Sequence, residues 1–231
     1  MQHSRPTIRA LAWVAGLYVL PTLAPAADVV IEVFDRDGAP VPEVAVYALV
    51  VDDTHSARAT GDGQAAAPSH PQAEISQNEL AFEPHLSIVE TGTSIRFPNN
   101  DDVRHHVYSF SDAKRFDLTI DSGSAVSETF DTAGLVTLGC NIHDGMLAFV
   151  LVVDTPHFAT TGRDGTASLP ALPAGRYDIH VWTPRLPEKA MPEPARLEVD
   201  ENGSYRPSFM FEKKLYPPHE HSETSLHWSH Y

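Results

Sequence analysis

Between Asp28 and Phe211 the apolar residues arrive in short, alternating, β-branched runs, and clusters of Gly, Pro, Asn and Asp separate each run from the next. Alternation with a period of two marks a strand with one buried face, and no stretch keeps the period of an amphipathic helix. Asp28-Val-Val-Ile-Glu-Val-Phe34 ends at the turn Asp35-Arg-Asp-Gly38, and Val41–Val51 reads as a second strand. Leu86–Val89, Ser94–Phe97, His106–Phe110, Phe116–Ile120, Ala125–Phe130 and Gly134–Leu138 continue the series, which Leu147–Val153 closes with an apolar run. Short strands at this spacing imply an all-β chain folded as a sandwich.

Beyond Pro156 the pattern changes. Thr166–Leu169, Asp178–Trp182, Ala195–Val199 and Ser208–Phe211 read as strands, with Leu172-Pro-Ala-Gly-Arg-Tyr177 as a turn. So few strands make a marginal core alone, whereas joined to those near the N-terminus they make a viable one. The expected organisation is a split sandwich of residues 28–53 plus 155–215, with residues 70–154 inserted as a second sandwich. Residues 52–74 read as a loop, and no internal repeat is present. The polar tail, residues 216–231, holds His219, His221, His227 and His230, and fits either metal capture or a solvated end.

Charge and targeting narrow the function. The chain has 231 residues with 31 acidic and 16 basic side chains, a net charge of −15, which argues against binding nucleic acid or anionic lipid. Arg5 and Arg9 precede the apolar run Ala10–Leu20 and the small-residue site Ala24-Pro25-Ala26. That order reads as a secretory signal over residues 1–26, with no membrane span after its cleavage. Losing two arginines and no acid takes the charge from −15 to −17. The expected location is the periplasm, where a lone thiol is prone to oxidation unless something holds it. The chain has one cysteine, Cys140, so a disulfide within the chain is excluded.

Cys140-Asn-Ile-His143-Asp-Gly-Met146 places a thiol, an imidazole and a thioether in one loop between two strands. That soft, mixed set suits copper in both oxidation states. Zinc also accepts Cys and His, though thioether serves it poorly. Met146 fits either a ligand or core packing beside Leu147. A trigonal plane needs a second histidine, and the candidates are His105 and His106, only one of which an extended strand can turn toward the metal. His157, His180 and Trp182 read as ordinary residues of the other sandwich.

Residues 75–153 resemble the cupredoxins, the plastocyanin- and amicyanin-like blue copper proteins. The resemblance lies in Pro84–Val89, the Gly92-Thr turn, Phe97-x-Asn-Asn and the short Cys-x-x-His-x-x-Met loop. It implies a Greek-key β-sandwich holding one type 1 copper ion, with His105, Cys140 and His143 in the plane and Met146 axial. The family's Asn after the first histidine is replaced by His106. Asp35-Arg-Asp-Gly-x-Pro-Val41 and Thr161-Gly-Arg-Asp-Gly165 with Leu172–Tyr177 resemble the carboxypeptidase-regulatory, or transthyretin-like, sandwich. The whole arrangement is similar to exported plastocyanin-like proteins labelled methylamine utilization proteins, although nothing in these residues binds an amine.

The expected function is therefore a periplasmic electron carrier that exchanges single electrons with a protein redox partner. The alternative is a copper-binding protein for storage, delivery or sensing. No acid–base pair or open coordination position is evident, so no substrate reaction is expected. The oligomeric state is not legible.

Overall fold

The computed structural model describes residues 27–51 and 72–218. The expected signal segment, most of the loop and the tail histidines lie outside the described residues. Two strands open the chain: β1 (Ala27–Asp35) and β2 (Ala45–Val50). Ten follow as β3 (Gln72–Glu74), β4 (Ser76–Asn78), β5 (Ala81–Glu83), β6 (Leu86–Glu90), β7 (Thr93–Pro98), β8 (His105–Phe110), β9 (Arg115–Ile120), β10 (Ala125–Phe130), β11 (Gly134–Cys140) and β12 (Leu147–Val153). The chain continues as β13 (Phe158–Thr160), β14 (Thr166–Leu172), β15 (Gly175–Trp182), β16 (Ala195–Val199), β17 (Ser204–Tyr205) and β18 (Ser208–Phe211), with one 3₁₀ turn at Glu188–Ala190. Among the described residues no helix is long and apolar enough to cross a membrane.

Strands from the two ends of the chain share sheets. β1 pairs with β14, β17 and β18, while β2 lies between β13 and β15, with β16 beyond. Their inward residues, among them Val29, Ile31, Val33, Val46, Leu172, Ile179 and Phe211, form one core. Residues 72–153 make a second core between the sheet β10-β7-β3 and the sheet β6-β12-β11-β8-β9. Phe97, Phe130, Ile95, Ile120 and Leu138 are fully buried there.

A third, smaller cluster joins the two cores. Ala45 on β2 packs with Leu86 on β6 and with Leu151 and Val153 on β12, flanked by Tyr47, Phe149, Phe158 and Trp182. The face of β2 and β15 that points away from their own core therefore meets the outer face of the five-stranded sheet. Tyr47 and His180, neighbours across β2 and β15, stack there with ring centroids 4.9 Å apart and planes 8° from parallel.

Two short segments differ from the sequence reading. The predicted turn at Leu172–Tyr177 contracts to Pro173 and Ala174, because Leu172 is drawn fully into the core opposite Ala27 and extends β14. Gln72–Glu74, read as loop, runs parallel to β7 as its edge partner.

The His180 ring supplies a test of the inter-sheet contact. Burial lowers its pKa below the ordinary 6.5, while Asp178 pulls the other way. Protons therefore bind the unfolded chain more readily than the folded one. This contribution is complete above pH 6.5 and is lost as pH falls below it. Thermal melts from pH 7.5 to 5 should show a falling Tm, and His180→Phe should flatten that fall. An equally steep fall in the variant contradicts the assignment.

Candidate metal centre

One end of the second sandwich gathers the sequence-predicted residues. β8 alternates cleanly, with His105, Val107 and Ser109 buried and His106, Tyr108 and Phe110 turned outward. β11 alternates in the same sense, so Cys140 follows Val136 and Leu138 on the inner face. β8 and β11 pair at only two points, Gly139 with Tyr108 and Cys140 with Val107. That short ladder brings the end of β11 to the start of β8, where His105 stands.

The loop from Cys140 to Met146 then returns the chain into β12. The Cys140 amide donates to the Met146 carbonyl at 3.3 Å, and the Asn141 amide donates to the His106 carbonyl at 3.0 Å. Gly145, at φ +88°, takes a left-handed conformation that a side chain would resist. Met146 lies 4% exposed in the second core.

The closed loop brings three donor atoms together. Cys140 Sγ lies 3.7 Å from His105 Nδ1 and 3.7 Å from His143 Nδ1, and the two Nδ1 atoms are 3.2 Å apart. A point equidistant from all three lies about 2.1 Å from each, which matches metal–nitrogen bonds and approaches metal–sulfur ones. His105, Cys140 and His143 are the metal-competent cluster found among the described residues. An imidazole pair with a thiolate fits either copper or zinc on donor chemistry alone.

The three ligand candidates differ in exposure. His105 is fully buried, Cys140 is partly buried, and His143 is half-buried on the loop. Burial lowers the His143 pKa, the neighbouring His105 lowers it further, and Asp101 opposes both. A lowered pKa favours the neutral ring, the form that binds a metal. His105 Nε2 lies 2.8 Å from Asp101 Oδ2; a carboxylate only accepts, so this ring nitrogen donates, and in a neutral ring Nδ1 then carries the lone pair.

His106 faces away from the cluster, as alternation along β8 requires. Its Nδ1 accepts from the Asn141 side-chain amide at 3.3 Å, and its Nε2 donates to Asp117. The residue that departs from the cupredoxin pattern thus bridges β9 and the residue after Cys140.

Sequence reasoning missed several neighbours with no motif to announce them: Asp101 on His105, Asp117 on His106, and Tyr108 on Gly139. A Cβ built on Gly139 would lie 2.9 Å from both Cζ and Oη of Tyr108, so the tyrosine ring occupies the space a side chain would need. Phe110 extends this aromatic surface, with ring centroids 5.1 Å apart.

No family model matches the chain, and no curated protein matches it. Solved structures that it resembles include a purple cupredoxin, amicyanins and a copper-containing nitrite reductase. A purple cupredoxin from Nitrosopumilus maritimus is 21% identical over 35% of this chain and 99% of its own, with a TM-score of 0.32. An oxidised amicyanin mutant is 21% identical over 36% of this chain and 82% of its own, with a TM-score of 0.33. A copper-containing nitrite reductase from Thermus scotoductus is 20% identical over 41% of this chain but 24% of its own, with a TM-score of 0.36.

The Tyr108–Gly139 contact is testable. Gly139→Ala should destabilise the protein by roughly 1–3 kcal/mol, the usual cost of overpacking, in urea unfolding followed by circular dichroism. Adding Tyr108→Ala should recover part of that loss. Purely additive effects would contradict the contact.

Proposed function

We propose that His105, Cys140 and His143, with Met146 as a fourth ligand, would hold one copper ion and that the protein carries single electrons. The observation that supports this most directly is the triangle of Sγ and two Nδ1 atoms, with sides of 3.7, 3.7 and 3.2 Å. Met146, at the end of the same loop, would as a ligand favour copper over zinc, because thioether is a soft ligand. Bound there, copper supplies a one-electron Cu(II)/Cu(I) couple. With Met146 as fourth ligand no position is left for a substrate, so the reading is a carrier rather than an enzyme.

The chain's residues divide the work. His105 closes the inner side of the site against water, and His143 gives it an edge at the surface. A protein redox partner meeting that edge is brought close to the donor cluster without entering the core. The exposed Ile142, 52% accessible, lies next to it and offers apolar contact. Around this centre, residues 28–53 and 155–215 form a carboxypeptidase-regulatory-like sandwich that carries the cupredoxin sandwich of residues 70–154 as an insertion. The signal-like residues 1–26 support export to the periplasm.

Adding one equivalent of Cu(II) should produce an intense thiolate-to-copper band in the visible spectrum. Cys140→Ser should abolish the band, and Met146→Leu should keep it while changing the reduction potential. A Cys140→Ser spectrum like that of the wild type would refute the ligand assignment. Reversible voltammetry identifies a carrier, whereas rapid loss of copper to a chelator identifies a storage or delivery protein.

A further inference from the structure

The hairpin joining β4 to β5 turns through Glu79 and Leu80, neither of them glycine, at φ +52° and +59°. A two-residue hairpin of type I′ needs positive φ at both central positions, and Asn-Gly or Gly-Gly normally provides it. A left-handed pair of Glu and Leu persists only where its surroundings hold it, and such strain is worth tracing to a function.

What holds it is Asp101. The Glu79 amide donates to Asp101 Oδ1 at 2.6 Å, and the Leu80 amide donates to Oδ2 at 3.1 Å. The same Oδ2 is 2.8 Å from His105 Nε2. The main chain of Asp101 is fixed as well: its amide donates to Asn99 Oδ1 at 3.0 Å, and its carbonyl accepts from Ser122 Oγ at 2.7 Å. Its carboxylate is 11% exposed, and the histidine it faces is 0% exposed. The β4–β5 hairpin is itself tied to this segment, because the Asn100 amide donates to the Gln77 carbonyl at 2.8 Å and Gln77 Nε2 donates to the Pro98 carbonyl at 3.1 Å.

We propose that Asp101 is a positioning residue for the metal centre: its carboxylate, locked by the amides of the strained Glu79–Leu80 turn, fixes His105 as the Nε2–H tautomer and keeps the Nδ1 lone pair aimed at Cys140 and His143. A neutral imidazole can carry its proton on either nitrogen, and only one choice leaves Nδ1 free to bind a metal. A carboxylate accepting from Nε2–H sets that choice before any metal arrives and makes the ring a stronger donor. Its negative charge favours the more positive of two metal oxidation states. The tautomer claim concerns the chain alone, and the effect on affinity rests on the copper reading above.

The test uses the full chain. In the metal-free wild type, long-range ¹H–¹⁵N spectra of the imidazoles at pH 8 should show His105 as a single Nε2–H tautomer. Asp101→Asn should mix the tautomers and weaken Cu(II) binding about 10- to 100-fold, with a smaller loss for Cu(I). Each tenfold difference between the two losses raises the reduction potential by about 59 mV. Leu80→Gly keeps both amide donors while relieving the strain, so tautomer and affinity should stay at wild-type values. A wild-type His105 that populates both tautomers overturns the proposal, and this result needs no variant to fold. So does Leu80→Gly acting as strongly as Asp101→Asn. A single tautomer with no visible copper band retains the positioning role and removes the copper reading. A copper band with mixed tautomers does the reverse.

Discussion

The pairing of β8 with β11 spans two residues on each strand, and the candidate centre depends on it. Because Cys140 lies opposite Val107, the inner faces of the two strands coincide, and the thiol reaches the level of His105 at the end of the sandwich. The loop then has to cross only from Cys140 to Met146 before β12 resumes its ladder with β11 at Leu147. Three donors from two strands and one loop converge because β8 and β11 are antiparallel and in register. The core beneath them, with Phe97, Phe130 and Leu138 fully buried, makes that register costly to change. In cores of this kind, truncating a buried aromatic typically costs about 3–5 kcal/mol.

Much of this was legible in the sequence because burial with a period of two leaves a direct trace. Alternation along this strand lets only one of His105 and His106 turn inward, and the cupredoxin resemblance pointed to His105. The structure buries His105, Val107 and Ser109. The Cys140–Met146 spacing showed a loop too short to scatter its donors. Other features left no such trace. Glu79-Leu80 carries no turn residue, and its conformation is held by Asp101, 21 and 22 positions away in the chain. The packing of Tyr108 on Gly139 is likewise a relation across strands, which a single residue type cannot announce. Long-range hydrogen bonds of this sort are settled by tertiary context rather than by local propensity.

Among the described residues the two cores are joined through an apolar contact. Ala45, Leu86, Leu151 and Val153 meet between sheets, and the aromatic rings of Tyr47, Phe149 and Trp182 cover their margin. β6 and β12, which form this contact, also carry the sheet that ends at the donor loop. A rigid mounting for the loop follows from that continuity, since close-packed apolar contacts resist small displacements. The same mounting leaves the opposite end of β8 and its exposed aromatic residues outside the joint.

The adjacent histidines on β8 also constrain how such a chain can change by insertion or deletion. One residue gained or lost before His105 would rotate the strand by half a turn. The inward place would then fall to a neighbour, while the residue that braces Asn141 would be carried into the core. Alteration here is all-or-none, and only changes in pairs of residues would preserve the inward order. A strand that presents one imidazole to the interior and the next to the loop therefore behaves as a two-position key, cut for one register.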